Sequence, residues 1–248
     1  MAIKQLPRRQ RVRRGLLLVA FLAFPLTLYY FSPVLIIQGA AEGIFTGSAI
    51  VFGLMFVSSL FLGRLWCGWA CPAGALQEFA EPANRKRTSR KLNWIKWAVW
   101  LPWVVLIAAM AVRAGGYRAL DPLYQLEGGV TVAQPYWYMI YYIVVAVFLC
   151  LALLLGRRAA CHTIGWMAPF MIAGRWLRNR VKWPSLRLVA EPASCSDCQT
   201  CTRNCPMSLD VNGLVRRAQM EDGECILCGQ CVDGCPKGAI HFSFGSGT

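Results

Sequence analysis

Charge is scarce in this chain, and acidic charge scarcest: 248 residues hold 12 Asp and Glu against 26 Lys and Arg, and only 15% are charged. Soluble domains carry about 25% charged residues, so an ordinary cytosolic globule is excluded. The 56% hydrophobic content likewise excludes a disordered chain. Four stretches contain no Asp, Glu, Lys, Arg or His at all: 15–37, 43–63, 97–112 and 128–156. Pumps and transporters place ionisable groups at membrane depth, and their absence here argues against transport.

Each run is predicted to be a transmembrane helix, because about 20 apolar residues cross a bilayer core. The third is short, and Lys96 and Arg113 extend it by snorkelling from its ends. Pro25 and Pro102 read as kinks that a membrane helix tolerates. Lys and Arg fall overwhelmingly on one side: 24 lie before the first run, between the second and third, or after the fourth, against Arg113 and Arg118 opposite. The positive-inside rule then puts both termini in the cytoplasm and the chain in the cytoplasmic membrane. A cleaved signal peptide or a twin-arginine signal at Arg13-Arg14 is the rival for the first run. Its length and the continuation through Tyr29-Tyr30-Phe31 favour an uncleaved helix.

Composition changes after Trp183-Pro184. Residues 191–248 carry seven acidic and four basic side chains, whereas 1–190 carry five acidic and 22 basic. Four regions result: a basic cytoplasmic N-terminus (1–14), a four-helix membrane domain (15–156), a basic interfacial segment (157–190) and a separate water-soluble module (191–248). Within 157–190, Arg175, Arg178, Arg180 and Lys182 interleave with Trp176, Leu177, Val181 and Trp183. Such a segment is expected to lie along lipid headgroups, apolar side down. Nucleic acid is excluded as a partner, because the exposed module is acidic.

Two identical cysteine runs occupy the module: Cys195-x2-Cys198-x2-Cys201-x3-Cys205-Pro206 and Cys225-x2-Cys228-x2-Cys231-x3-Cys235-Pro236. This is the spacing of bacterial two-cluster ferredoxins, in which the fourth cysteine of each run ligates the other cluster. Two [4Fe–4S] clusters follow, one on Cys195, Cys198, Cys201 and Cys235, the other on Cys225, Cys228, Cys231 and Cys205. Disulfides conflict with a cytoplasmic face, and zinc ribbons use paired rather than tripled cysteines. The flanks predict strands over 186–189 and 239–244 and a helix over 211–219 capped by Asp210, hence a small α+β fold.

Three further cysteines sit in turns after the second and fourth runs, within Arg64-Leu65-Trp66-Cys67-Gly68-Trp69-Ala70-Cys71-Pro72 and Arg158-Ala159-Ala160-Cys161-His162. Arg precedes Cys by three in both, so the membrane domain reads as two repeated hairpins whose turns meet. Cys67, Cys71 and Cys161, with His162 as a fourth donor, form a further metal, cluster or redox-thiol site on one reading. On the other they are packing thiols, as Cys150 is within the fourth run. Tyr136, Trp137, Tyr138, Tyr141 and Tyr142 either border a quinone or form an interfacial aromatic belt.

Taken together, the Cys67-x3-Cys71-Pro72 turn after a helix and the two terminal runs resemble the NapH/MauN-type membrane ferredoxins, relatives of the NosR and CcoG/RdxA proteins. Gly165 and Trp166 stand where that family has a second Cys and Pro. The resemblance implies an electron conduit or quinol-dehydrogenase membrane component, linked to the quinone pool and to a redox partner protein, rather than a self-contained enzyme. An assembly factor that delivers electrons to a metalloenzyme, or a cluster-based redox sensor, fits the same residues.

Overall fold

The computed structural model describes residues 6–246; of the basic N-terminal stretch, Lys4 lies outside them. The first apolar run is not one helix. Helix α1 (Arg8–Leu22) ends at Ala23, two short helical segments (Phe24–Thr27 and Leu28–Phe31) follow, and α2 (Pro33–Glu42) restarts beyond Ser32. The chain bends by 60° between Arg8–Leu22 and Phe24–Phe31. Proline explains both breaks. Pro25 and Pro33 lack the N–H that would continue a helix, and each sits in the first turn of a new one. Ser32 caps α2, its hydroxyl accepting from the Leu35 amide at 3.4 Å.

The second run divides as well. Residues Ile44–Thr46 form strand β1, and the helix α3 (Gly47–Leu62) that follows has 16 residues. At 1.5 Å per residue it spans about 24 Å, short of the roughly 30 Å hydrocarbon core. The turn after α3 holds α4 (Leu65–Trp69) and α5 (Pro72–Phe79). Helix α6 (Asn93–Arg113) keeps Pro102 inside it, β2 (Ala119–Asp121) pairs in parallel with β1, and α7 (Trp137–Leu155) starts nine residues later than the fourth run. Among the described residues, the helices Arg90–Arg113 and Trp137–Leu155 are long and apolar enough to cross a membrane, or three spans if the bent pair counts as one. The first and second runs are thus broken into shorter elements where one helix through each was expected. The outer faces of α6 and α7 are apolar and open, with Val105, Val112, Met139, Ile143 and Leu154 all exposed, as a lipid-facing surface requires.

Helix α8 (Ala159–Thr163) forms the second turn, and α9 (Met167–Arg180) packs back along α3. Phe170 of α9 meets Phe52 edge-on at 5.4 Å and Trp103 of α6 at 5.9 Å, locking three helices together. In the C-terminal module β3 (Ser185–Ala190) and β4 (Ile240–Gly245) pair antiparallel, Ser185 opposite Gly245 and Ala190 opposite Ile240. Helix α10 (Val211–Arg216) is capped by Asp210, which accepts from the Gly213 amide at 3.1 Å. It stops before the expected Gln219, where Ala218 adopts a left-handed φ.

This module shares its core with the helices: Met55, Cys67 and Met171 lie in one buried cluster with Leu188, Met207, Val215, Ile226 and Ile240. Its acidity is turned inward. Glu221 pairs with Arg175, Arg178 and Arg187, Glu224 with Arg64 and Lys96, Asp222 with Arg90, and Asp233 with Arg9. Four of the seven module acids thus clamp it to the basic helices. The interfacial segment is divided accordingly: Arg175 and Arg178 are buried against Glu221, while Trp176, Leu177, Val181 and Trp183 stay exposed.

Candidate metal centres

The eight module cysteines form two groups. Cys205, Cys225, Cys228 and Cys231 line one cavity, walled by Leu188, Met207, Leu209 and Ile226. Cys195, Cys198, Cys201 and Cys235 line a second, beside Asn212, Val215 and Ile240. Each group takes three cysteines from one run and the last cysteine from the other. The backbone repeats with the thiols. Asp197, Gln199 and Ser208 in the first run, and Leu227, Gly229 and Gly238 in the second, hold left-handed φ values between 50° and 76°. These reversals curl each loop so that cysteines three apart face one space.

The donor chemistry fits a polynuclear cluster. Among the described residues no three His, Cys, Asp or Glu side chains converge on a point that one ion could occupy, as zinc with its short Zn–S bonds demands. The sulfurs instead ring a space, as ligands to the corners of a cube must. All twelve cysteines are free thiols. Burial pushes the Cys205 thiol up to about 12 and Cys228 up to about 11, so deprotonation there calls for the positive charge of bound metal. The groups differ in setting. Cys198 is exposed and Cys195 and Cys235 half-buried, whereas Cys205, Cys228 and Cys231 are buried against the helices. They are termed the outer and inner groups below.

The two turns do meet. Arg158 Nη1 donates to the Cys67 carbonyl at 2.7 Å, and Gln77 accepts from the Ala160 amide at 2.9 Å while donating to Cys161 Sγ at 3.4 Å. Cys71 caps α5, its sulfur accepting from the Gly74 amide at 3.4 Å. Burial first, then the neighbouring Cys67 and Cys161, raises the Cys71 thiol to about 12. His162 is buried and held neutral, its pKa lowered by burial to about 4. Its Nδ1 lies 2.6 Å from Asn93 Oδ1, and its Nε2 has no partner. Cys67, Cys71 and Cys161 are therefore neighbours, without converging on a single-ion position, whereas the His162 ring turns to Asn93.

The first turn also carries the inner group. Trp69 Nε1 donates to the Leu227 carbonyl at 3.1 Å, and a Cβ on Gly68 would stand 2.3 Å from the Ile226 carbonyl oxygen. That contact is closer than any side chain permits. Gly68→Ala is expected to push the 226–228 loop off the turn and to lower thermal stability by an amount typical of overpacking, about 1–3 kcal/mol; a melting temperature equal to the parent's would refute the contact.

Reading the sequence missed a set of buried charges beside these groups. Glu78 binds Arg158 Nη2 at 2.6 Å and also Arg13, and both guanidiniums are shielded from solvent, at 1% and 0% exposure. Arg13 donates to the Gly68 carbonyl at 3.1 Å, and Gln10 donates to the Cys228 carbonyl at 3.0 Å. Arg175 Nη1 donates to the Cys225 carbonyl at 2.8 Å. The one available signal was rarity: Glu78 is one of five acids in residues 1–190.

Comparison with known proteins agrees with this chemistry. Residues 44–91 match a 4Fe-4S binding domain and residues 194–240 a 4Fe-4S dicluster domain. The first segment brings only Cys67 and Cys71. The chain is 24% identical to the putative electron transport protein YccM of Escherichia coli, over 81% of this chain and 57% of that protein. It is 25% identical to the uncharacterized protein MJ0749 of Methanocaldococcus jannaschii, over 77% of this chain and 68% of that one. It is also 25% identical to protein RdxA of Cereibacter sphaeroides, over 88% and 49%. The chain thus spans little more than half the length of the first of these relatives. No solved structure matches it. What the comparisons establish is a chain with two segments of 4Fe-4S ferredoxin type, similar to a protein named for electron transport.

Proposed function

We propose that this chain is a multi-pass electron-transfer protein of the cytoplasmic membrane. On this reading it holds one [4Fe–4S] cluster on Cys195, Cys198, Cys201 and Cys235 and another on Cys205, Cys225, Cys228 and Cys231. The exchange of fourth cysteines between the two cavities carries the reading, since only a two-cluster arrangement calls for it. Such clusters, when bound, supply one-electron transfer. The chain's own residues hold them, exclude water from the inner one and dock the module onto the helices. Electrons pass between a redox partner protein at the outer group and the quinone pool or another membrane partner behind the Cys67–Trp69 turn. Both termini face the cytoplasm, as the asymmetry of Lys and Arg requires.

Protein purified without air is expected to hold about eight irons and about eight sulfides per chain, four of each per cube. Zinc in place of iron would end the reading. Added quinol should bleach the visible spectrum; an unchanged spectrum removes the quinone half of the proposal. Iron in excess of eight that disappears in Cys67→Ala would assign a further cluster to Cys67, Cys71 and Cys161, whereas no excess leaves them as redox or packing thiols. A reporter fused after Thr248 should be active only in the cytoplasm.

A further inference from the structure

The charges around the two cysteine groups are unequal. Near the inner group stand three buried guanidiniums: Arg13 and Arg158 share one carboxylate, Glu78, and Arg175 shares Glu221 with Arg178 and Arg187, while Asp222 opposes them near Cys225. Arg13 and Arg158 both lie within Coulombic reach of the Cys228 sulfur, and Arg175 within reach of Cys225. Their neighbourhood is dry, so their charge is screened far less than it would be in water. Arg13 and Arg175 also reach this region through hydrogen bonds to the Gly68 and Cys225 carbonyls. Around the outer group the charges are exposed: Asp197 and Arg216 face each other at 3.9 Å, both more than half exposed, so water screens them.

We infer that this buried positive charge holds the inner cluster at a higher reduction potential than the outer one, so that electrons entering from the cytoplasm settle beside the Cys67–Trp69 turn. The inference rests on the reading that both groups hold [4Fe–4S] clusters. Reduction adds one negative charge to a cluster, and fixed positive charge nearby stabilises the reduced form. Burial opposes this, because the added charge is desolvated. Arg13, Arg158 and Arg175, all buried, outweigh that penalty, whereas the charges beside the outer cluster are exposed and screened by water. Arg13, Arg158 and Arg175 are thus positioning residues that act through charge, and Glu78 and Glu221 set how much of that charge survives.

The test is an EPR-monitored redox titration of the full-length protein, with iron counted on each sample. Cys198→Ser alters a ligand of the outer cluster alone, and the wave it shifts is expected to be the lower one. Glu221 is 35% exposed, so Glu221→Gln keeps the fold; it should move the upper wave upward, whereas Arg175→Gln should move it downward. Each shift should be at least tenfold in the reduction equilibrium, 59 mV for one electron, with the lower wave unmoved. Glu78→Gln should act in the same direction as Glu221→Gln. Opposite signs from an acid and a base on the same cluster are not what loss of packing would produce. A Cys198→Ser shift in the upper wave, or charge variants that move both waves equally or in the same direction, would overturn the inference with the clusters intact. Wild-type protein without iron would overturn the cluster reading itself, and the inference with it.

Discussion

Cys231→Ala protein is expected to retain about four irons per chain instead of about eight, and to lose the cooperative unfolding of its C-terminal module. Cys231 is buried among the inner group, and its removal leaves three thiols round that cavity. The module has too few residues to build a self-sufficient core, so metal ligation supplies much of its folding free energy. The loss should spread. Ile226 and Leu227 lie between the remaining ligands Cys225 and Cys228 and rest on Gly68 and Trp69, and Glu224 clamps Arg64 and Lys96 from the same loop. Limited proteolysis should then cut within 195–235, where the parent resists. Cys150→Ala is the matching control, because Cys150 is exposed on α7 and remote from both cavities. Its iron content and protease pattern should equal the parent's. A Cys231→Ala protein with full iron content would refute the assignment of that ligand.

The second large effect belongs to Glu78. Glu78→Ala leaves the Arg13 and Arg158 guanidiniums buried without a counter-charge, a situation that costs about 3–5 kcal/mol when one partner of a buried pair is removed. Glu81→Ala, which removes the more exposed partner of Arg157, should cost no more than about 1 kcal/mol. The Glu78 carboxyl also writes a pH dependence. Burial alone would raise its pKa, but Arg158 and Arg13 overcome burial and hold it at about 2, below the roughly 4.3 of an unfolded chain. Its stabilisation is therefore complete above about pH 4.3 and is lost as pH falls toward 2. Thermal unfolding in detergent should show the parent losing stability across that window. Glu78→Ala should lose less, the remaining slope coming from Glu224, which is held at about 2 by Arg64 and Lys96 against its own burial. Identical slopes in the two proteins would sink the claim.

Local chemistry was legible in the sequence, and long-range chemistry was not. The cysteine runs announce themselves because a cluster takes three ligands from one short loop, so its signature survives in spacing alone. The cap at Asp210 and the two strands that close the module were readable for the same reason. The first and second apolar runs misled because hydropathy counts residues and not backbone hydrogen bonds: Pro25 and the Ser32-Pro33 cap break the first, and β1 shortens the second. The acidic tail looked like a soluble surface. Its acids instead face basic residues up to 224 positions away, as Asp233 faces Arg9, and no local window holds both ends of such a pair. Arg13 and Glu78, 65 residues apart, were hidden by the same distance.

Helix α1 binds the inner loop through Gln10, which reaches the carbonyl of Cys228 across 218 positions of sequence. At translation speeds of about 5–20 residues per second, roughly 10–40 s separate the synthesis of these two partners. Throughout that interval the polar side of α1 has nothing from the module to rest against, and it gains its seat only when the last ligands leave the ribosome and take up iron. Cofactor loading and the docking of α1 are then coupled, and a chain without its iron would leave that helix without its dock.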